Sequence, residues 1–415
     1  MKLNPFTSKT YQEIWLKHFS DNPNPKQFPF IKDLLFFKHR FLPYYINSGR
    51  NMTNGVTYEI DSNVDNLEGK TQVIYDVPDY CETNEKLEKK NLKIWKVRQY
   101  KGFLADLSGF SSFEDYFQNT LHSKSRNKFR STLKKFESCF DVKYVYYYGP
   151  ISMEVYESMM ANFKDLVESR YSNLKIDTTL INEWPFYHEL VFQMLQEKKA
   201  LIVSIEVSGK PISMSLAFLG ENTLVGAVKA FNTDYYKFNV GHIEISKFIE
   251  WCFDYDMDVL DFSKGEYEYK TKWTNTEYVY NCHVLCDSSS MTSRTTGNLL
   301  VKYFELKQYL RDKNFNLFVA KTRFKIKNLG SKKENVLPFK ILKVDTDFDV
   351  NQFELVSLNA EIKNYPFLKR LVLDGLYQKP EAFSGLKVYK SVENQSEKPK
   401  YAITGIKQKY LIQIL

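Results

Sequence analysis

The clearest pattern in the sequence is a set of three apolar runs between residues 201 and 231. The runs LIVSIEV and PISMSLAF flank a Ser-Gly-Lys turn at 208–210, and TLVGAVKAF follows a second turn at 220–222. Short runs rich in β-branched and aliphatic residues, separated by glycine turns, are typical of β-strands. The pattern therefore predicts a β-meander of three strands.

The third run contains a glycine, Gly226, in the middle of its predicted strand. A glycine inside a strand often marks a β-bulge, or a place where a ligand approaches the backbone closely. Both interpretations of Gly226 stay open from the sequence alone.

A helical period replaces this pattern after a polar and aromatic loop, YYKFNV, at 235–240. Four residues then recur at i, i+3, i+4 and i+7, namely Ile245, Phe248, Ile249 and Cys252. This spacing predicts a helix that opens at Gly241 and buries one face. The first N–H groups of a helix have no partner within it, and they bind phosphate with the help of the helix dipole. The sequence therefore predicts a phosphate site at Gly241.

A strand and a short helix are predicted after this helix. The run MDVLDF ends near Asp261, and a turn follows at 263–265. The next run, EYEYKTKWTN, places Tyr269, Lys270 and Trp273 within one helical turn. Ligand sites of α/β folds form where strand ends lie beside a helix N-terminus. A tyrosine there could donate a proton and a lysine could hold an anion, although Tyr269 and Trp273 could also merely pack the helix down.

One long helix with a basic face is predicted over residues 111–140. Arg126, Arg130 and Lys134 stand at i, i+4 and i+8, opposite a face rich in phenylalanine. Like charges at this spacing repel each other by roughly a few tenths of a kcal/mol per pair. The face is therefore either solvated surface or one wall of a cleft for phosphate or carboxylate groups.

Weaker patterns cover the rest of the chain. Helices are predicted for TYQEIWLKHF, for residues 152–170, for NEWPFYHELVFQMLQEKK and for LLVKYFELKQYL, which lies in a basic segment at 291–333. Strands are predicted for FLPYYIN, GVTYEI, TQVIYDV and LKIWKV in the first 110 residues, and for FKILKV, FELVSL and YAITGI near the end. No function is predicted for the final segment.

Composition narrows the class of protein. At 415 residues the chain exceeds one ordinary core, so several domains are expected. The net charge of +8 suits anionic ligands such as nucleotides, CoA, acidic glycans or a membrane surface. The five scattered cysteines form no complete zinc ligand set, and reduced thiols are expected in the cytoplasm. The N-terminus shows no secretion signal, and no apolar run reaches the roughly 20 residues that cross a bilayer.

The order of these motifs resembles the acetyltransferase family associated with cellulose-biosynthesis operons, the CelD/BcsL-like branch of the GNAT superfamily. That family shows a glycine opening the CoA-binding helix, an Asp-Phe strand, a glycine turn and a Tyr-Lys-x-x-Trp helix. The matching residues here are Gly241, Asp261, Phe262, Gly265, Tyr269, Lys270 and Trp273. The resemblance covers roughly residues 110–280 and, more loosely, the first 110. It departs from the family at Asn239-Val240, where Ser-Pro is more usual, and in the last 80 or so residues, which have no counterpart in the family.

The resemblance implies an α+β or α/β fold of tandem GNAT-like domains with mixed central sheets, followed by a C-terminal appendage. Four regions are expected: an N-terminal GNAT-like half at 1–110, an acyl-CoA-binding half with a basic linker helix at 111–290, a basic helical segment at 291–334, and a small β-rich appendage at 335–415.

The resemblance also implies an acyltransferase that moves an acetyl or other acyl group from acyl-CoA, without a metal, to an amine or hydroxyl of a sugar, envelope or exopolysaccharide precursor. Tyr269 is expected to protonate the departing thiolate, and Glu206 is a candidate general base. The residues expected to contact the donor are Gly226, Val228, Lys237, Val240, Gly241, His242 and Ile243. The residues expected to bind acceptor or cofactor anions are Arg126, Arg130, Lys264, Lys270 and Trp273.

Two other functions stay open. FemAB-like enzymes share the duplicated architecture but take aminoacyl-tRNA as donor, and the basic helices would suit tRNA, with strongly salt-dependent binding. A binding module could also keep the fold without the chemistry, since fold does not determine function. The leading interpretation expects no nucleic-acid partner, and the sequence specifies neither the acceptor nor the oligomeric state.

Overall fold

The structure is a computed structural model that describes residues 4–20, 24–81, 89–174, 180–313, 339–343, 352–362, 365, 367–392 and 400–414. Its helices are α1 (Lys9–Phe19), α2 (Phe113–Thr120), α3 (Ser123–Cys139), α4 (Met153–Leu174), α5 (Trp184–Gln196), α6 (Val240–Asp254), α7 (Glu268–Trp273), α8 (Met291–Asp312), α9 (Leu358–Glu361) and α10 (Phe367–Gln378). Short 3₁₀ segments include Thr233–Phe238.

The strands of the first half are β1 (Ile31–Lys32), β2 (Phe36–Lys38), β3 (Tyr44–Asn47), β4 (Glu59–Ile60), β5 (Thr71–Pro78) and β6 (Leu92–Asp106). The middle of the chain supplies β7 (Val142–Tyr148), β8 (Ala200–Val207), β9 (Lys210–Leu219), β10 (Thr223–Phe231), β11 (Val259–Lys264) and β12 (Thr276–Asp287). The last strands are β13 (Phe339–Lys343), β14 (Phe353–Val356), β15 (Lys387–Ser391), β16 (Lys400–Thr404) and β17 (Lys409–Ile414).

A ten-stranded mixed sheet organises the chain, in the order β2-β3-β5-β12-β6-β11-β10-β9-β8-β7. The predicted meander is confirmed, because β8, β9 and β10 are consecutive antiparallel neighbours. The register shift between Gly226 and Val228 confirms a bulge at the strand glycine. A separate five-stranded sheet, β13-β17-β16-β15-β14, follows near the C-terminus.

The sheet runs without interruption across residue 110. Strand β12, which the expected boundaries assign to the second half, pairs with β5 and β6 of the first half. Helix α8 then packs on these strands through Leu300 and Phe304. The domain boundaries themselves stay predictions.

Strand β12 was missed by the sequence analysis, although alternate residues Tyr278, Tyr280, Cys282 and Val284 are all buried. A period of two over these positions is the signal that could have identified it. The close spacing of Cys282, His283 and Cys286 reflects this buried strand, and the structure finds no group of metal ligands among the residues it describes.

The prediction of one helix over 111–140 is wrong. Leu121 and His122 are both extended, so α2 ends and α3 begins at this point. The break allows two out-of-phase aromatic faces to be buried together, because Phe117 and Phe129 both pack on Trp273, with ring centroids 5.8 and 5.4 Å away.

Two local expectations around the predicted ligand site also need correction. The segment predicted as an irregular loop forms the 3₁₀ segment Thr233–Phe238, which ends at Asn239 with φ 51°. The turn predicted at 263–265 starts later than expected, since β11 continues through Lys264 and leaves the strand at Gly265 with φ +99°.

Helices cover both faces of the second half of the sheet. Helices α1, α4 and α5 pack on one face, where Tyr156 and Leu190 meet Ile202 of β8. Helices α2, α6 and α7 cover the other face, where Ile249 and Trp273 meet Val203. No helix in the described ranges is both long and apolar enough to cross a bilayer. The cytoplasmic location stays a prediction.

The C-terminal sheet and α10 dock beside the 3₁₀ segment. Leu368 and Val372 of α10 share a hydrophobic cluster with Phe136 of α3 and Phe238. Of the basic segment predicted at 291–333, residues 314–333 lie outside the described residues.

Candidate functional site

The candidate site is an opening between β10 and β11. These parallel strands pair only from Thr223↔Val259 to Val225↔Asp261. Beyond this rung β10 continues to Phe231 along β9, whereas β11 continues along β6. The described pairing therefore ends at Val225 and Asp261, and beyond these residues the facing edges of β10 and β11 do not pair with each other. We call this gap the strand opening.

The start of α6 lies at the end of β10, next to the strand opening. An added Cβ on Gly241 would lie 3.5 Å from the Phe231 ring and 3.6 Å from Lys229 Cε. The N–H groups of His242 and Ile243 donate to Asn239 O, whereas those of Val240 and Gly241 have no acceptor among the described residues. Two unpaired donors at the positive end of a helix form an anion site when a phosphate is present.

The side chains of this first turn serve packing rather than ligand contact. Val240 and Ile243 are buried in the cluster that α10 completes. His242 Nδ1 accepts a hydrogen bond from Trp273 Nε1 at 2.7 Å. Burial, reinforced by the nearby charge of Lys229, lowers the pKa of His242 to about 4, so the imidazole is neutral at pH 7. The donor-binding role expected for this turn stays a prediction, and the packing of these side chains leaves only the backbone to perform it.

A buried ion pair fixes β10 against α6. Lys229 Nζ lies 3.1 Å from a carboxylate oxygen of Glu244, whose side chain is fully buried. The same Nζ donates to Gly241 O at 2.6 Å, and Ser213 donates to Glu244 at 2.9 Å. These contacts hold the first turn of α6 at the strand opening.

Tyr269 of α7 also lies near Lys229, beside the strand opening. Its ring centroid is 5.7 Å from Lys229 Nζ. Burial raises the pKa of Tyr269 to about 12, so its phenol keeps its proton at neutral pH. A protonated phenol beside the strand opening fits the donor role expected from the sequence.

Other side chains contact the backbone carbonyls of the separated strand. Asn54 Nδ2 donates to Gly226 O at 3.0 Å, and Arg170 donates to Lys229 O at 2.5 Å. The Arg170 guanidinium also lies 4.6 Å from the Phe231 ring centroid. The Val228 side chain points into the core, so only its backbone faces the strand opening.

A buried network surrounds Asp261, the last residue of β11 that pairs with β10. Its carboxylate accepts hydrogen bonds from Tyr80 at 2.9 Å and from Tyr278 at 2.7 Å. The Tyr278 hydroxyl also lies within hydrogen-bond distance of the Tyr280 hydroxyl, at 2.6 Å, and the Tyr280 hydroxyl donates to Asn54 O at 2.7 Å. Any side chain at Gly102 would collide with the Tyr278 ring.

Proton counting shows two states of this network. The Tyr280 hydroxyl has one proton and donates it in the hydrogen bond to Asn54 O. The hydrogen bond between the two hydroxyls therefore has Tyr278 as its donor. The contact between Tyr278 and Asp261 is then satisfied only when Asp261 is protonated. Burial raises the pKa of Asp261 to about 6, which brings both protonation states within reach near neutral pH.

Two predicted anion-binding lysines are held by protein groups here. Lys264 Nζ lies 2.7 Å from an oxygen of buried Asp76. Lys270 Nζ is buried and donates to Ser263 O at 3.0 Å. Burial lowers the pKa of Lys270 to about 8, while nearby Asp261 raises it. Lys264 therefore connects β11 to β5 of the first half of the sheet, and Lys270 connects α7 to β11.

The structure places four predicted residues away from the strand opening. Arg126 donates to the carbonyls of Gln118 and Leu121, and Arg130 pairs with Glu114, so both tie α3 to α2. Lys237 pairs with Asp374 of α10 at 2.9 Å. Glu206 lies on β8, which is separated from β10 by β9.

Several residues of the site were missed by sequence reasoning. A charged residue inside an apolar strand run was the available signal for Lys229, and Glu244 had the same signal inside an apolar helix face. Asn54, Tyr80 and Arg170 lie far in sequence from the strand opening, and no local sequence pattern marks them as site residues.

Comparison with known families supports a transferase fold for this region. Residues 123–271 match the family model described as an acetyltransferase (GNAT) domain. The matched stretch contains β10, β11, α6 and the first turn of α7, which border the strand opening. The chain therefore has a GNAT-like fold with mixed α/β content and a large mixed sheet, to which the C-terminal sheet is added.

Solved structures show more distant similarity. The C-terminal domain of a putative lysylphosphatidylglycerol synthetase from Agrobacterium fabrum is 8% identical, with 65% of this chain and 84% of that chain covered and a TM-score of 0.41. The structure of L-PGS from Bacillus licheniformis is 11% identical, with 73% and 98% covered and a TM-score of 0.41. FemX is 11% identical, with 60% and 83% covered and a TM-score of 0.42. A search of curated proteins finds no match.

Proposed function

We propose that the protein is an acyl-CoA-dependent acyltransferase whose donor occupies the strand opening. The observation that carries this proposal is the pair of unpaired N–H groups of Val240 and Gly241 at the end of two strands that separate. The donor pyrophosphate would accept hydrogen bonds from this helix start. The pantetheine arm would lie along the β10 backbone from Gly226 onward. Acetyl-CoA is the donor we expect, and an amine or hydroxyl of a sugar, envelope or exopolysaccharide precursor is the acceptor.

The transfer itself would be direct. The acceptor nitrogen or oxygen attacks the thioester carbonyl, so that a C–N or C–O bond forms and the C–S bond breaks. Tyr269 would give its proton to the departing thiolate, because its raised pKa keeps it protonated. Most of the rate enhancement would come from positioning the two substrates and polarising the carbonyl.

Asp261 is a better-placed proton acceptor than Glu206. Tyr80 is about one third exposed, at 37%, and its hydroxyl donates to Asp261 Oδ2. The acceptor's proton would pass to the Tyr80 oxygen while the Tyr80 proton moves to Asp261. A carboxylate with a pKa of about 6 is suited to this role near neutral pH.

The protonation of Asp261 can be tested without any substrate. Its pKa is raised in the folded state, so its stabilising contribution is complete below the unfolded pKa and is lost as pH rises through 6. Between pH 5 and 8, we expect the wild type to lose about 1–2 kcal/mol of unfolding free energy relative to Asp261→Asn. Urea unfolding at four pH values measures this difference. Asp254→Asn, at an exposed carboxylate, is the control that should run parallel to the wild type.

Parallel curves for the wild type and Asp261→Asn would mean that Asp261 is ionised throughout this range. Its assignment as proton acceptor would then lose its physical basis, although the proposed donor site would stand.

Thermal unfolding in the presence of acetyl-CoA tests the proposed function. A ligand at about 100 times its Kd stabilises a protein by about 2.7 kcal/mol, so a clear rise in Tm is expected. CoA should produce most of the shift, because the pyrophosphate and pantetheine carry most of the contacts. Absence of any shift with acetyl-CoA or longer acyl-CoAs would contradict the proposal.

A FemAB-like activity with aminoacyl-tRNA is the second candidate. The observation that favours it is the set of exposed lysines on α3, namely Lys124, Lys128 and Lys134. Phosphate contacts by these residues would make tRNA binding steeply salt-dependent. Tight, salt-sensitive binding of tRNA together with no response to acyl-CoA would favour this candidate.

A further inference from the structure

Helix α8 has two apolar faces, of which the described residues cover only one. Its inner face packs on the first half of the sheet through Gly297, Leu300 and Phe304. A second stripe stands at i, i+4, i+7 and i+11 and consists of Leu299, Tyr303, Leu306 and Leu310, which are 64%, 56%, 57% and 38% exposed. At about 100° per residue, these four positions fall within an arc of about 60°. We call them the outer stripe.

The charged residues of α8 are separated by sign around the outer stripe, with lysines beside it and acidic residues away from it. Lys302 and Lys313 lie on one side and Lys307 on the other, each within about 70° of the centre of the stripe on a helical projection. Glu305 and Asp312 lie about 130° or more away. Asp312 is also paired with Arg98 at 2.6 Å. The outer stripe therefore has a basic margin, and the acidic residues lie away from it.

A neighbouring turn also exposes apolar side chains. Phe41 and Leu42, between β2 and β3, are 79% and 50% exposed. Tyr44, at the base of this turn, packs in the same cluster as Leu300 and Phe304 of α8. Lys38 and Arg40 flank the turn in sequence. Apolar side chains flanked by basic residues thus occur on two neighbouring elements.

The basic margin of the outer stripe favours an anionic lipid surface over a second copy of this chain as the partner that covers it. A symmetric contact between two copies places the same patch against itself, so the basic margins would repel each other. At an anionic lipid surface, the apolar side chains would instead be buried in the bilayer interface, and the lysines would bind lipid phosphates. Helices that lie in the membrane interface carry an apolar face bordered by Lys and Arg.

We propose that the outer stripe and the Phe41–Leu42 turn form a docking surface for an anionic lipid bilayer. The apolar side chains enter the headgroup boundary, and Lys302, Lys307 and Lys313 contact lipid phosphates. Binding is peripheral and reversible, because only the outer side of α8 is available. This inference concerns a face of the first half of the sheet and does not depend on the proposed acyl transfer.

Vesicle co-sedimentation of the full chain tests this inference. Vesicles of phosphatidylcholine with 40% phosphatidylglycerol are expected to bind the protein at least about tenfold more tightly than pure phosphatidylcholine vesicles. Replacing both exposed leucines, in Leu299→Ser/Leu306→Ser, should weaken binding by about tenfold or more, since a buried CH₂ contributes substantially to interfacial binding. Lys302→Gln/Lys313→Gln should weaken binding by about tenfold and reduce its salt dependence.

Matched controls separate docking from general stickiness. Met153→Ser/Val155→Ser removes two exposed apolar side chains from α4 and should leave binding unchanged. All variants should keep the wild-type Tm, because each alters exposed positions. Equal binding to both vesicle types, or full binding by Leu299→Ser/Leu306→Ser, would overturn the proposal. So would a dimer in solution that this variant converts to monomer, since the stripe would then join two copies.

Discussion

Gly241→Asp is expected to lose acyl-CoA binding by about 100-fold or more while the fold stays intact, because hydrogen bonds from the helix start to a charged group contribute about 1.5–3 kcal/mol each. A carboxylate at this position would occupy or repel the site of the pyrophosphate. The same carboxylate favours the helix itself by about 0.3–1 kcal/mol through the dipole. The added Cβ meets only ordinary contacts at 3.5 Å and 3.6 Å. Loss of binding with unchanged or higher Tm is therefore the expected combination.

Gly241→Asn is the matched control for this substitution. It adds a side chain of the same shape without charge, so it separates repulsion from steric exclusion. Isothermal titration of acetyl-CoA into the three proteins measures the effect. Binding by Gly241→Asp at wild-type affinity would remove α6 from the donor site, and equal losses in both variants would assign the effect to bulk rather than charge.

Lys229→Met is expected to lower the free energy of unfolding by about 3–5 kcal/mol, the cost of leaving a buried charge unpaired. Glu244 has no exposed surface, and Lys229 is the cation 3.1 Å from its carboxylate. Methionine keeps much of the volume of the lysine side chain but cannot compensate the charge. The loss of the hydrogen bond to Gly241 O adds to the effect.

The double variant Lys229→Met/Glu244→Gln removes both charges and should recover most of this loss. Equilibrium unfolding in urea of the wild type, both single variants and the double variant completes the thermodynamic cycle. A loss below about 1 kcal/mol for Lys229→Met, or no recovery in the double variant, would show that this pair does not hold β10 against α6.

Local periodicity was sufficient to predict much of the second half of the chain. The strand runs of β8, β9 and β10 and the helical spacing from Ile245 to Cys252 are confirmed. Strands β8 and β9 are buried on both faces, which agrees with their nearly continuous apolar runs, and the spaced residues of α6 are buried against the sheet. The bulge at Gly226 also had a local signal. The break at Leu121 had a local signal too, because the apolar face shifts phase near His122. That shift did not by itself predict two helices, since the break depends on how two aromatic faces meet Trp273, which lies far along the chain.

The site could be predicted only where it is built from consecutive residues. Gly241 and Tyr269 lie on predicted helices, and the structure brings both to the strand opening. The network of Asp261 combines Tyr80 from the first half with Tyr278 from β12, and the position of β12 depends on sheet order. Lys237 illustrates the opposite case, because its partner Asp374 belongs to the C-terminal appendage, for which the sequence predicted no function.

A crystal structure of the protein with CoA tests the central claim most directly. We predict that the pyrophosphate accepts hydrogen bonds from the N–H groups of Val240 and Gly241, with the pantetheine between β10 and β11. Arg170 would then release Lys229 O or adjust around the ligand. CoA bound elsewhere on the chain, or no CoA in the strand opening at millimolar concentration, would contradict the account.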